Sequence, residues 1–402
     1  MTFTRDQINR HLWNRQGFNR NNDVTLEAFA ASFTGIYGTS PTSYLSHLAR
    51  IQNFDFDKLD QLLYRDRQLV RLRCMRSSVY LAPVQSLPVI FQATRASNLP
   101  RLQKLVERSG VSESGYQTLA AQIETILDNQ SLTVADIKKA LASKNENANR
   151  VMNFIVAAMC GEGRLIRTNV RGGWKSDLFE YGRTGQWLPG VDLFSMTPEA
   201  ATIALARMYF DRYGPATAQD FYWWSGMKQA EVKPALGALA DELSPIEIEG
   251  IKGDYLMIDR DADVLRFAQD TPPPGIRLLP IWDGYMVAYR DRSRYVDARR
   301  YNYIYDKSGN ATSTILLNGK AGGVWDFEQS NTALTVKALL FEPSDETTWS
   351  ELTQEVIRLE AATDASQVTL IRCTSMPPLT QGGQNRFMSP LKDVIGEVVF
   401  SM

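Results

Sequence analysis

The stretch that decides the fold runs from residue 198 to residue 259. PEAATIALARMYFDRYG (198–214) carries apolar residues at helical spacing, and ATAQDFYWWSG (216–226) begins a second helix after Thr217, a residue type favoured at helix N-caps. MKQAEVKPALGALADEL (227–243) continues as a third helix, and IEIEGIKGDYLMID (246–259) alternates between apolar and polar residues like the strands of a hairpin. Three helices followed by a hairpin predict a winged helix, a variant of the helix-turn-helix.

Two earlier segments repeat this order of helices followed by a basic hairpin. In the first, helical patterns in the region 6–67, one of which (24–38) is expected to end at Gly38, precede RQLVRLRCMRSSVYLAP (67–83), which is typical of two strands. In the second, Ser131 and Thr133 are the N-cap candidates for the helical pattern LTVADIKKALASK (132–144), and a hairpin is expected around Arg171-Gly172-Gly173. The sequence therefore predicts an α+β protein with three tandem winged-helix units.

The last third of the chain differs from the rest in composition and in hydrophobic periodicity. TPPPG (271–275) predicts a linker, since three prolines continue neither a helix nor a central strand. The segments after it are rich in alternating β-type residues, and WSELTQEVIRLEAATDA (349–365) predicts one late helix, so we expect a small C-terminal β-domain. The predicted domains are residues 1–98, 99–190 and 191–270 for the winged-helix units and 271–402 for the β-domain.

Composition excludes several classes of function. The chain has 402 residues, and its 44 Lys and Arg balance 45 Asp and Glu, so only local clustering could make a basic face. The two histidines, His11 and His47, argue against a Ser-His-Asp site and against a histidine-rich metal site. Cys74, Cys160 and Cys373 are far apart and predict buried apolar residues. With no long apolar run and no signal core, we expect a cytoplasmic protein, without cofactor or metal and with no membrane partner.

Three groups of basic residues lie around the first two predicted hairpins and within the predicted β-domain. Arginine contacts phosphates well in loops and hairpins because its planar fork carries several donors. The alternative is that each group is a solvated face neutralised by nearby Asp and Glu. We predict double-stranded DNA as the partner of a monomeric chain. The candidate DNA-binding residues are Arg65, Arg71, Arg73, Arg76, Arg171, Lys175, Arg290, Arg292 and Arg294.

Several stretches, taken in order, resemble the AlkZ/YcaQ family of DNA glycosylases. LLPIWDGYMVAYRDRSRYV (278–296) is similar to the family's pattern of proline, apolar residues, Asp and a spaced Arg-x-Arg. ILLNGKAGGVWDFE (315–328) resembles its Gly-rich hairpin ending in Trp, and DRYGPATAQDFYWWSG (211–226) resembles its third helix-turn-helix. The first and second hairpins are similar to the family's first two wings.

The resemblance implies both an architecture and an activity. The family's three winged-helix units and β-domain form a C shape around a cationic channel for duplex DNA. Its members excise alkylated bases or unhook interstrand crosslinks without a metal. Their catalytic signature is Gln-x-Gln or Gln-x-Asp in the first unit, where the two side chains orient and deprotonate a water.

This sequence departs from the family at that motif. Tyr37 and Thr39 occupy the two polar positions, and Tyr80 stands where the family usually has a histidine. Neutral hydroxyls are weak general bases, although they can position a water by hydrogen bonding. Asp283 is the remaining carboxylate candidate, and its alternative role is a turn residue that caps backbone amides before Gly284.

Two functions therefore remain open at this point. One is a glycosylase that uses Tyr37, Thr39 and Asp283. The other is an inactive winged-helix DNA-binding protein for damage sensing, self-resistance or transcriptional regulation. The sequence determines neither which DNA lesion is recognised nor whether the chain hydrolyses the N-glycosidic bond.

Overall fold

The computed structural model describes residues 1–20, 23–32, 35–141, 148–330, 332–363, 365–381 and 387–402. It confirms the predicted α+β class: helices and strands are interspersed along the chain, and the strands form three separate sheets. The helices are α1 (5–15), α2 (26–32), α3 (42–48), α4 (56–60), α5 (87–108), α6 (113–126), α7 (134–140), α8 (148–161), α9 (184–187), α10 (198–213), α11 (218–225), α12 (229–238), α13 (259–266), α14 (284–287), α15 (301–304) and α16 (346–362). The strands are β1 (2–3), β2 (69–73), β3 (79–83), β4 (132–133), β5 (165–171), β6 (178–183), β7 (243–248), β8 (251–258), β9 (276–279), β10 (314–317), β11 (320–330), β12 (333–340), β13 (367–373) and β14 (396–401).

The third unit has the predicted order of helices α10, α11 and α12 followed by the hairpin β7–β8. Thr217 caps α11 in a capping box with Asp220, which satisfies backbone donors that a helix start leaves unpaired. Trp224 is buried against Tyr209 and Phe221, so its ring belongs to the core of this unit.

The second unit is a complete winged helix. Helix α6 is followed by the short strand β4, then α7 and α8, then the hairpin β5–β6, and β4 pairs with β6. Thr133 is the N-cap of α7, because its side chain accepts from the Asp136 amide at 3.2 Å. A separate hydrophobic cluster around Tyr116, Ile137 and Met159 forms the core of this unit.

The first unit differs from the sequence expectation at its second helix. The sequence predicted a helix up to Gly38, but α2 ends at Ser32. Residues 36–38 instead pair with β3: Gly38 N donates to Val79 O at 2.7 Å, and Leu81 N donates to Ile36 O at 2.9 Å. Residues 36–38 lie along β3 because their backbone N–H and C=O groups find hydrogen-bond partners on that strand. A helix at this place would not have these partners.

In all three units a short segment between two successive helices pairs with a strand of the wing. In the second unit this segment is β4, and in the third unit it is Ala216, which forms an isolated bridge with Leu256. In the first unit it is Tyr37, which forms an isolated bridge with Tyr80. The altered Tyr37-Gly38-Thr39 motif therefore occupies a defined position of the winged-helix fold, beside the wing.

The C-terminal region forms an open six-stranded sheet in the order β14-β13-β12-β11-β10-β9. Helix α16 connects the parallel neighbours β12 and β13 and packs Trp349, Leu352 and Val356 on the sheet. The expected single covering helix is thus present. Within the described ranges no helix is long and apolar enough to span a membrane.

Two strand pairings join segments that the sequence assigned to different domains. Strand β1, at the start of the chain, lies parallel to β7 of the third unit, and Arg71 of β2 pairs with Arg167 of β5. The predicted linker, residues 271–275, is also attached to the first unit, because the Arg10 guanidinium donates to Thr271 O at 3.0 Å. The domain boundaries remain a prediction, but the units share sheets and core across them.

Candidate functional site

The segment 35–41, which we call the motif loop, is held by its own backbone and by a buried arginine. Besides the two bonds to β3, the guanidinium of Arg71 donates to Gly38 O and to Ser43 Oγ at 3.2 Å. Arg71 is 1% exposed. A charged donor enclosed behind the loop fixes the carbonyl between the two motif positions.

The far side of the motif loop touches the C-terminal region almost without a gap. A methyl group on Gly284 would lie 2.2 Å from Gly35 O, and one on Gly35 would lie 2.0 Å from the Tyr213 hydroxyl. Gly35 also has φ of 122°, which favours glycine. The two glycines let the loop, the first turn of α14 and the end of α10 meet at one point.

Asp283 lies directly before this contact, in a buried ion pair with Arg50. The two guanidinium nitrogens donate to its two oxygens at 2.7 Å each, Ser46 Oγ donates at 2.8 Å, and the Tyr285 amide donates at 3.0 Å. Both side chains of the pair are fully buried. A carboxylate held in this way cannot take a proton from water without first breaking the pair. The geometry therefore favours the capping role of Asp283 over the catalytic one.

Tyr37 lies in an aromatic stack at the surface of the loop. Its ring is 5.6 Å from Trp282 at an interplanar angle of 19°, and Trp282 in turn contacts Phe387 at 5.6 Å. Trp282 has φ of 56°, an unusual backbone conformation for a tryptophan, and this conformation accompanies its half-buried position over Tyr37. The Tyr80 ring lies behind the stack, 4.8 Å from Tyr37.

The hydroxyl of Tyr37 is already engaged in a hydrogen bond. It donates to Ser78 Oγ at 2.6 Å, within the turn of the first wing. Burial raises the pKa of Tyr37, and the Ser78 bond and the Arg76 charge only partly oppose this rise. Tyr37 therefore stays neutral at physiological pH and offers no proton acceptor of useful strength.

Thr39 is half-exposed, but its hydroxyl oxygen is buried and has no hydrogen-bond partner in the described structure. Its carbonyl accepts from the Ser43 amide at 2.9 Å, at the start of α3. In this conformation Thr39 does not present a hydroxyl to solvent. Holding a water would require rotation of its side chain.

A residue that the sequence analysis missed lies beside Thr39. Asp177, an exposed residue in the turn of the second wing, accepts from the Ser40 amide through Oδ1 at 2.8 Å. It brings a carboxylate from a remote part of the chain to the motif loop. The nearest signal in the sequence was an acidic residue shortly after the Gly-Gly turn of the second hairpin, in WKSDLFEYG (174–182).

Three of the arginines expected to contact DNA are buried, which corrects that expectation. Besides Arg71, Arg292 is 4% exposed and donates to Tyr301 Oη at 2.6 Å, with its guanidinium over the Tyr305 ring. Arg294 is 2% exposed and donates to Pro215 O at 2.6 Å. These guanidinium groups tie loops and aromatic rings together inside the protein, so they do not reach a phosphate on its surface.

The other candidates remain at or near the surface. Arg65, Arg171, Lys175 and Arg290 are exposed, and Arg73 and Arg76 are half-buried around the turn of the first wing. Arg171 is paired with Glu180 at 2.6 Å and with Asp136 at 2.9 Å. Surface pairs of this kind contribute little stability, so a phosphate can replace the carboxylates at small cost.

The motif itself, with Tyr37 neutral and the Thr39 hydroxyl buried, supplies no general base. No group of His, Cys, Asp or Glu suited to hold a metal ion occurs within the part of the chain that the structure describes. Any proton acceptor for hydrolysis must therefore come from outside residues 37–39.

Comparisons with known proteins agree with this architecture. A family model described as "DNA glycosylase AlkZ-like" matches residues 34–362. Among solved structures, the Streptomyces sahachiroi DNA glycosylase AlkZ superposes with a TM-score of 0.74 at 18% sequence identity, over 92% of this chain and 100% of that chain. A search of curated protein sequences gave no match.

Proposed function

Because the chain belongs to the AlkZ-like DNA glycosylase family, we propose that it binds duplex DNA and removes alkylated bases by hydrolysis of the N-glycosidic bond. The motif loop, residues 35–41, is the proposed site. The resemblance of its position to the family's catalytic segment supports Tyr37 and Thr39 as residues of that site.

The observation that carries the proposal is the fixed loop beside a half-buried aromatic stack. The loop is bonded to β3, pressed against Gly284 and supported from behind by Arg71. Such rigidity is costly to build and is typical of sites that hold a substrate in a defined pose. The Tyr37–Trp282 stack offers a flat apolar surface for an extruded base.

The chemistry restricts the substrate to bases that already leave easily. A base alkylated at a ring nitrogen of a purine carries a positive charge, so its departure needs no protonation. The protein then has to align water and the sugar, and proximity alone lowers the barrier substantially. We therefore expect slow excision of cationic alkylpurines, and unhooking of crosslinks attached through the same nitrogens.

DNA contacts in this proposal come from the exposed basic residues. A curved arrangement of the three units around a channel, which the family resemblance implies, would bring the wings to the phosphates, where Arg65, Arg171, Lys175 and Arg290 can bind. We propose that the chain acts as a monomer on double-stranded DNA in the cytoplasm. The nearly balanced net charge of −1 means that affinity depends on this clustering.

A direct test is incubation with duplex DNA that carries a single N7-methylguanine or a crosslink through guanine N7. Alkali then cleaves the strand wherever the base has been removed. Strand breaks at the modified position, above those in a protein-free sample, support the proposal. No breaks after prolonged incubation with an excess of protein would overturn it.

A second function is favoured by the engaged hydroxyls of the motif. Since Tyr37 donates to Ser78 and the Thr39 hydroxyl is buried, the loop can also serve a protein that binds damaged DNA without cutting it. This function predicts tighter binding to alkylated than to unmodified duplex, together with a negative alkali assay. Equal affinity for the two duplexes would contradict it.

A further inference from the structure

Neither the motif loop nor the neighbouring Asp283 offers an available general base. The Tyr37 hydroxyl donates to Ser78, the Thr39 hydroxyl is buried, and both Asp283 oxygens are bound by Arg50. Hydrolysis by water still requires a group that accepts the proton of the attacking water. Asp177, which is exposed and in direct contact with the loop, is a carboxylate in a position to do so.

Asp177 is held in place by the rest of the second wing's turn. Trp174 packs edge-on against Phe56 of the first unit at 5.0 Å and stacks on Phe327 of the C-terminal sheet at 6.0 Å. Next to it, Lys175 Nζ donates to Gln329 Oε1 at 3.1 Å. The turn is therefore anchored on two neighbouring regions, and the carboxylate does not depend on a free loop for its position.

The hydrogen bond between Asp177 and the motif loop lies directly after Thr39, the second polar position of the motif. Oδ1 of Asp177 accepts from the amide of Ser40, the residue that follows Thr39. With Oδ1 engaged in this bond, Oδ2 is the oxygen that can accept a proton from a water beside the motif loop. The second wing thus brings a carboxylate to the place where the motif has a threonine.

We propose that Asp177 is the general base of this site, an inference that rests on the proposed glycosylase function. In the step, the water oxygen bonds to C1′ of the sugar while the C1′–N bond breaks. The bonding electrons leave with the base, so a cationic alkylpurine departs as a neutral molecule. The proton of the water passes to Asp177 and then to solvent, leaving an abasic sugar.

The Asp177→Asn variant tests the assignment because the amide oxygen can still accept from the Ser40 amide while the charge is removed. We expect single-turnover excision of N7-methylguanine to fall by about a hundredfold, the usual range for loss of a general base. Affinity for the duplex and Tm should stay at wild-type values. Asp177→Glu, which keeps a carboxylate, should retain more activity than Asp177→Asn.

Asp192→Asn is the matched control. Asp192 is also exposed and also accepts a backbone amide, that of Phe194 at 2.8 Å, but it lies outside the motif loop and its contacts. Its activity should equal that of the wild type. Activity of Asp177→Asn within threefold of the wild type would overturn the assignment, as would a loss of activity matched by a loss of affinity or Tm. An inactive wild type would instead overturn the proposed function and this inference with it.

Discussion

The contact between Gly284 and the motif loop can be tested by adding a single methyl group. In Gly284→Ala the new Cβ would lie 2.2 Å from Gly35 O and 3.3 Å from the Tyr213 hydroxyl. Carbon–oxygen contacts shorter than about 3 Å are strongly repulsive, so the Gly35 carbonyl must move by roughly 1 Å. Overpacking of this kind costs about 1–3 kcal/mol, which lowers Tm by a few degrees.

The larger effect is expected on activity. A displacement of about 1 Å in a positioning segment costs on the order of a hundredfold in rate. Excision by Gly284→Ala should be compared with that by Gly237→Ala, since Gly237 is in α12 and a methyl group there meets nothing within 4 Å. The control should gain about 0.5–1 kcal/mol from helix propensity and keep its activity. Wild-type excision and Tm in Gly284→Ala would refute the account of a rigid, close-packed loop.

Three further predictions follow from burial and charge. Duplex affinity should fall about a thousandfold between 50 and 200 mM salt if roughly six phosphates are contacted, and a flat salt response in a titration would contradict the channel. Arg290→Ala should weaken binding to all duplexes without changing Tm, whereas Arg292→Ala should lower Tm because that guanidinium is buried; equal melting curves for the two variants would oppose this assignment. Burial lowers the pKa of both His11 and His47 from 6.5 to about 4, so the unfolded chain binds protons that the folded chain does not. Melting curves should therefore show Tm falling as pH drops from about 6.5 towards 4. Asp326, whose pKa burial raises to about 6, opposes this trend only in part, and a rising Tm would contradict the prediction.

The winged-helix units could be predicted because their signals are local. Thr133 and Thr217 precede apolar helical patterns, and both residues cap helices in the structure. The end of α2 was predicted too late, because the segment after it gains hydrogen bonds from β3, more than 40 residues further along the chain. Local periodicity carries no information about that partner.

The roles of single charged residues were harder to predict. Arg71 lies in a basic strand, which suggests an exposed wing. Its side chain points inward instead, where the guanidinium donates to Gly38 O and Ser43 Oγ. Asp177 escaped notice because its partner, Ser40, is 137 residues away. Burial and partnership of a charge depend on tertiary packing, which residue type and spacing do not reveal.

The central claim is that this chain breaks the N-glycosidic bond of alkylated bases. Its most direct test is mass spectrometry of the bases released from methylated duplex DNA by an excess of the wild-type protein. We predict a time-dependent release of free N7-methylguanine or N3-methyladenine above the spontaneous rate, with unmodified guanine and adenine retained. Release at the spontaneous rate for every base would contradict the claim.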